Sequence, residues 1–321
     1  MKLYLFYDDG VCAGLGHYRR VRALAHKLAL ISSHQNSTEC VFCPIGTRKL
    51  ESMENLHTFC THIKPEETLG AVVDSYVFGV EHFALLDSVF AHLVCFDDTN
   101  RTLYPQKSFI LNGAPNAHKL YPQHTSHHLL GLGFALCDAV FTPITSVRER
   151  ISDIFVSFGG SDTQNLSAQI LPFIESSALF SPSSQDFAPC TIHLVLGRYY
   201  PHTPPTHPNL QCYTDLNPAQ MHALMQQCDI AISAGGGTLI ELASSLIPTI
   251  MLESAPNQHF QITQFADIGA FKHAQNLTQI PKLIESLMPK NTRESAKDTL
   301  STLRIGQELE SALRNVFDFN P

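Results

Sequence analysis

Short, nearly continuous apolar runs recur along the chain, at Lys2 to Tyr7, Ala71 to Asp74, His92 to Phe96, Ile154 to Phe158, Thr191 to Leu196, Ile230 to Ser233 and Thr249 to Leu252. Between them lie segments whose apolar residues return at helical spacing, such as "HYRRVRALAHKLAL" and "LIELASSL". Strands without polar alternation are buried on both faces, which is the situation of a parallel sheet covered by helices. The pattern restarts at "IFVSFGGSDTQNLSAQILPFI", which reads as strand, Gly-Gly-Ser-Asp turn and helix. The less regular stretch from Gly131 to Arg150 reads as a linker, and Ser181 to Pro189 and "YPHTPPTHPNL" as loops. The expected fold is α/β, with two Rossmann-like doubly wound domains, 1–150 and 151–321, facing each other across a cleft. Ligands of open parallel sheets sit beyond the carboxyl ends of the strands, so the glycine-rich turns found there are where chemistry is expected.

Composition narrows the class. A chain of 321 residues with 44% hydrophobic content has the make-up of an ordinary two-domain globular protein. No apolar run approaches the ~18 residues of a membrane span, and the first apolar stretch ends at Asp8 and Asp9, too soon for a secretory signal. A cytoplasmic protein is expected, acting as a monomer with no membrane partner. A net charge of -8 argues against nucleic-acid binding but allows an anion held by backbone amides. The nine cysteines form an odd set without an export signal, so reduced thiols are expected. Cys40 and Cys43 form a C-x-x-C, but no second ligand pair stands near it as zinc would need, so they read as strand thiols.

Three loops carry candidate chemistry. In "GLGHYRR" a dinucleotide fingerprint fails, because Arg19 stands where a third glycine belongs and no acid follows at the ribose distance. What remains is a tight turn through Gly14 and Gly16 that sets His17 at a helix start. The positive end of the helix dipole opposes imidazolium there, and a neutral ring suits a general base. A histidine that only caps or packs is the other reading. In "SFGGSD", the amides of Gly159, Gly160 and Ser161 open a helix and suit an anion, or simply make a turn. In "SAGGGTLIELASSLIPTIMLESAPNQ", Gly236, Gly237 and the hydroxyl of Thr238 offer a diphosphate cradle. Glu241 lies one turn on, where a carboxylate can accept both hydroxyls of a ribose, and the loop after the next strand delivers Asn257 and Gln258.

With these motifs the chain resembles the nucleotide-sugar enzymes of the glycosyltransferase B fold, related to the transferase that makes lipid II. Within that group it is similar to the UDP-2,4-diacetamido-2,4,6-trideoxy-β-L-altropyranose hydrolases of pseudaminic acid biosynthesis. The resemblance rests on "GLGHYRR", "DSY", "FDDTNRTLYPQKSFILNGAP", "VSFGGSD" and the third loop, in that order along most of the chain. It implies that water cleaves the sugar from UDP at the anomeric carbon, with His17 activating or orienting the water. It places Gly14, Gly16, Arg20, Tyr76, Asn257 and Gln258 on the substrate. It places Gly160, Ser161, Gly236, Gly237, Thr238 and Glu241 on UDP. The loops near 177–190 and 199–210 and the tail after 290 depart from the family pattern.

No cofactor and no metal are expected. Asp97 and Asp98 form an acidic pair of a kind that suits magnesium, but the Thr-Asn-Arg that follows reads as a hydrogen-bonded turn. Amides and dipoles can neutralise a departing diphosphate instead. A UDP-sugar glycosyltransferase with a sugar or lipid acceptor, a UDP-sugar 2-epimerase, and a nucleotide-sugar-binding protein without chemistry remain open on the sequence.

Overall fold

The computed structural model describes residues 1–9, 16–32, 38–123, 125–181, 190–269 and 271–317. Among them run two six-stranded sheets. The first contains β1 (Lys2–Tyr7), β2 (Glu39–Pro44), β3 (Thr68–Asp74), β4 (Leu93–Phe96), β5 (Phe109–Asn112) and β6 (His128–Leu130), in the order β2-β1-β3-β4-β5-β6. The second contains β7 (Asp153–Ser157), β8 (Thr191–Leu196), β9 (Leu210–Thr214), β10 (Ile230–Ala234), β11 (Thr249–Leu252) and β12 (Lys272–Ala274), in the order β12-β11-β10-β7-β8-β9. Every strand pairing in both sheets is parallel. The expected α/β class with two doubly wound domains is therefore what the chain forms.

Burial explains the apolar runs. All of β3, β10 and β11 is buried, because helices cover both faces of each sheet. The helix Gly16–Ser32 lays Val21, Leu24, Ala25, Leu28 and Ile31 on Leu3, Leu5, Val72 and Val94, at the helical spacing visible in the sequence. Full burial of each Val, Leu or Ile among them contributes roughly 1.5–3 kcal/mol. Leu309, Leu313 and Val316 from the last helix, Leu309–Val316, complete that face.

The chain divides into two compact units, Met1–Leu136 with Ile305–Pro321, and Cys137–Arg304. The sequence division at 150 differs from this at two places, for identifiable reasons. Residues 137–150 are fastened within the second unit: Phe141 packs edge-on to His222, the Ile144 amide donates to Ser245 O, and Arg148 pairs with Asp153 and Asp229. The last helix belongs with the first unit because its apolar stripe faces β1, β3 and β4.

Each sheet has one place where the strand order reverses. In the first it lies between β1 and β3, and in the second between β7 and β10. Crossovers leave in opposite directions from such a point and open a crevice at the strand ends. Among the described residues, no helix is long and apolar enough to cross a membrane.

Candidate functional site

The reversal point of the first sheet gathers a polar network. Asp74 ends β3, and His17 is the second residue of the helix after β1. His17 Nδ1 lies 2.6 Å from Asp74 Oδ1, and both side chains are buried. An ionised carboxylate only accepts, so Nδ1 carries a proton, and it is in the neutral ring that Nε2 keeps its lone pair. Burial alone would raise the Asp74 carboxyl, but the adjacent Arg20 guanidinium and the His17 hydrogen bond outweigh it and hold Asp74 below the usual carboxylate range. Arg20, one turn along the helix, donates from Nε and Nη2 to Asp74 at 2.7 Å each and from Nη1 to both oxygens of Asp98 at 2.8 Å.

Tyr76 stands beside this network. Its hydroxyl donates to Asp98 Oδ2 at 2.6 Å, and its ring meets the His17 ring edge-on at 5.0 Å. Its loop is held from two sides. Asp8, just after β1, accepts from Ser75 Oγ and the Tyr76 amide at 2.6 Å each. Arg101 donates to Phe78 O and Ser75 O and lies over the Tyr76 ring. The Asp97-Asp98 pair thus splits: Asp97 accepts from the amides of Thr99 and Arg101 in its own turn, while Asp98 serves Arg20 and Tyr76. Gly16 is exposed at the helix start, whereas Gly14 lies outside the described residues.

The second unit brings two glycine turns to its own reversal point. Gly159, Gly160 and Ser161 follow β7, with Gly159 at φ 85, a conformation that favours glycine. Asp162 caps the next helix through the amides of Leu166 and Ser167 at 2.8 Å. After β10, Gly235 is packed so tightly that a Cβ there would lie 2.6 Å from Ile262 Cδ1. Gly236 and Gly237 differ, since a Cβ on either would meet nothing within 4 Å. Ligand atoms can therefore approach the backbone of both. Thr238 opens the helix Thr238–Ser244, and Glu241 lies in its first turn.

Gln258 turns inward. Its Oε1 accepts from the Gly235 amide at 3.1 Å and from the Ser254 amide and hydroxyl at 3.0 Å each. Gln261, which the sequence reading passed over, donates to Gly235 O and Gly236 O at 3.2 and 3.0 Å. Together they brace the glycine turn, while Asn257 is exposed beside them. Asp74, which the sequence offers within "DSY" only as an alternative base, stands here as the partner of His17; its position at the end of an apolar run was the available signal. Among the described residues there is no group of three or more His, Cys, Asp or Glu side chains fit to hold a metal ion.

No known family model matches the chain. It is 29% identical over 330 residues to the pseudaminic acid cytidylyltransferase and UDP-2,4-diacetamido-2,4,6-trideoxy-beta-L-altropyranose hydrolase of Helicobacter pylori. That similarity takes in 99% of this chain but 56% of the relative, so the chain spans about half of that bifunctional protein. It is also 22% identical over 296 residues to the spore coat polysaccharide biosynthesis protein SpsG of Bacillus subtilis, covering 84% of this chain and 82% of the relative. Among solved structures, MurG of Acinetobacter baumannii matches with a TM-score of 0.63 at 12% identity, over 99% of each chain. The two reversed-order parallel sheets and their match to glycosyltransferases along the whole length make this a protein of the glycosyltransferase B fold.

Proposed function

We propose that the chain is a nucleotide-sugar hydrolase that converts UDP-2,4-diacetamido-2,4,6-trideoxy-β-L-altropyranose to UDP and the free sugar. The observation that carries this reading is the buried Asp74–His17 pair, which leaves Nε2 of His17 for an incoming nucleophile. In this account water attacks the anomeric carbon from the face opposite UDP, and His17 Nε2 takes its proton. The C–O bond breaks with its electron pair passing to the β-phosphate oxygen, and the sugar leaves inverted. Asp74 stabilises the imidazolium that forms, as an orienting carboxylate does in other His-based sites.

The UDP half is assigned to the second unit. Gly160, Ser161 and the open backbone of Gly236 and Gly237 receive the diphosphate with Thr238, and Glu241 holds the ribose. Charge leaving on UDP then meets amides and no required metal. Tyr76 and Asn257 are assigned to the sugar, and Gln258 supports the glycine turn of its own unit. The name of the Helicobacter pylori relative supports the hydrolase reading.

The test is UDP release from this substrate with no acceptor present, with and without EDTA, in oxygen-18 water. Release that survives EDTA, with label in the sugar, supports the reading. Label in UDP means attack at phosphorus and refutes it. The glycosyltransferases among the structural matches favour a second reading, transfer to a sugar or lipid. UDP release that begins only when an acceptor is added would select it. His17→Asn should lower kcat by roughly two or more decades while leaving UDP affinity within a few-fold.

A further inference from the structure

Arg20 lies one turn from His17 on the same helix, yet its guanidinium is committed to protein. Nε and Nη2 bind Asp74, and Nη1 spans both oxygens of Asp98. The two carboxylates differ in environment: the Asp74 side chain is 2% exposed and that of Asp98 is 30% exposed. Water can answer the charge of Asp98 but not that of Asp74. A buried carboxylate with only an imidazole for company draws a proton onto the ring, because the ion pair is then the favoured state. A general base must instead arrive neutral. These demands conflict unless another cation already answers Asp74.

We propose that Arg20 is a positioning residue, not a substrate contact: it neutralises the buried charge of Asp74, so that Asp74 can hold the Nδ1–H of His17 without drawing the ring into its protonated form. The groups facing the ring come from every neighbouring element. Asp74 from β3 and Tyr76 from the loop after β3 touch the ring; Arg20 from the helix itself and Asp98 from the loop after β4 are joined to it through these two. Asp8, just after β1, and Arg101, over the Tyr76 ring, complete the set. Of the two cations, Arg20 is the one hydrogen-bonded to Asp74. Its planar fork also fixes the plane of the carboxylate, since Oδ2 accepts from Nε while Oδ1 is shared by Nη2 and His17 Nδ1. The third nitrogen, anchored on Asp98, ties this geometry to Tyr76 through the shared carboxylate.

The catalytic consequence rests on reading His17 as the base, but the test does not. Uniformly 15N-labelled protein without substrate is titrated by imidazole NMR, and the His17 signals are identified by their loss in His17→Asn. In the wild type at pH 7 the expected signals are those of a neutral ring protonated at Nδ1. In Arg20→Met the titration of these signals should rise by about one pH unit or more. In Arg20→Lys, which keeps the charge, it should stay near the wild type. Coincident titrations of Arg20→Met and wild type overturn the proposal. So does a wild-type ring doubly protonated at pH 7, a result that needs no variant to fold. Should His17→Asn retain full UDP release, the base reading falls while the titration result stands on its own.

Discussion

Replacing Asp74 by asparagine keeps the size of the side chain and removes its charge. Asp74 accepts three hydrogen bonds, from His17 Nδ1 at 2.6 Å and from Arg20 Nε and Nη2 at 2.7 Å each. An amide cannot satisfy this set. With its NH2 at the Oδ2 position it confronts the Nε donor of Arg20; at the Oδ1 position it confronts Nη2 of Arg20, and His17 Nδ1 must give up its proton so that Nε2 takes it. The second arrangement puts a proton where the base needs a lone pair. Losing a charge-assisted bond costs roughly 1.5–3 kcal/mol. Arg20 keeps Asp98, so the total stays below the 3–5 kcal/mol typical of breaking a fully buried pair. The expected loss of stability is about 2–3 kcal/mol, read from urea unfolding. The expected fall in kcat is ~10²–10⁴, equivalent to roughly 2.7–5.5 kcal/mol of barrier, read from UDP release at saturating substrate. UDP affinity, measured by calorimetry, should hardly change, because no UDP contact is assigned to Asp74. Turnover within about fivefold of wild type would show that Asp74 does not orient a catalytic ring.

Glu241→Ala should weaken UDP binding at least tenfold, or about 1.4 kcal/mol, by calorimetry; unchanged affinity would place the ribose elsewhere. Gly235→Ala adds a methyl 2.6 Å from Ile262 Cδ1 and 2.8 Å from Gln258 Cβ, so thermal unfolding should show a loss of about 1–3 kcal/mol. Burial depresses Lys297 to about 8, with Arg293 adding to the effect and Asp229 opposing it. The unfolded lysine therefore binds more protons between pH ~8 and ~10.4, and its burial costs most below that window. The stability difference between Lys297→Met and wild type should thus move in favour of wild type as pH rises from 8 to 10, and a constant difference would count against this.

The sequence announced those strands that are buried on both faces. β1, β8 and β11 have the bounds their apolar runs predict, and β3, β4, β7 and β10 differ by only a few terminal residues. β6 and β12 have three residues each, too few for a periodic signal, and β9 is an edge strand with three exposed positions. Ile110 and Leu111 of β5 are buried, but the apolar run there, Phe109 to Leu111, is closed on both sides by the polar Ser108 and Asn112 and does not stand out from the loops around it. At the site, the candidate base was legible from one loop because a helix start has local consequences. Its partner was not, since Asp74 is 57 residues away and only the sheet order brings β3 beside β1. The protein partners of Arg20 were hidden for the same reason: Asp98, 78 residues away, comes beside it only after folding.

The return of the last helix to the first unit carries a consequence for synthesis. Residues 1–136 leave the ribosome well before Ile305, and all of the second unit is made in the interval. During that time the face formed by Leu3, Leu5, Val72, Val94 and Leu111 lacks Leu309, Leu313 and Val316. A nascent first unit therefore carries an uncovered apolar strip until the final helix arrives, and is open to chaperones and to wrong partners for that period. The second unit has no such wait: the segment Cys137–Arg304 is continuous and can close as soon as it is complete. Of the two units, the one whose synthesis starts first is thus the later to be finished.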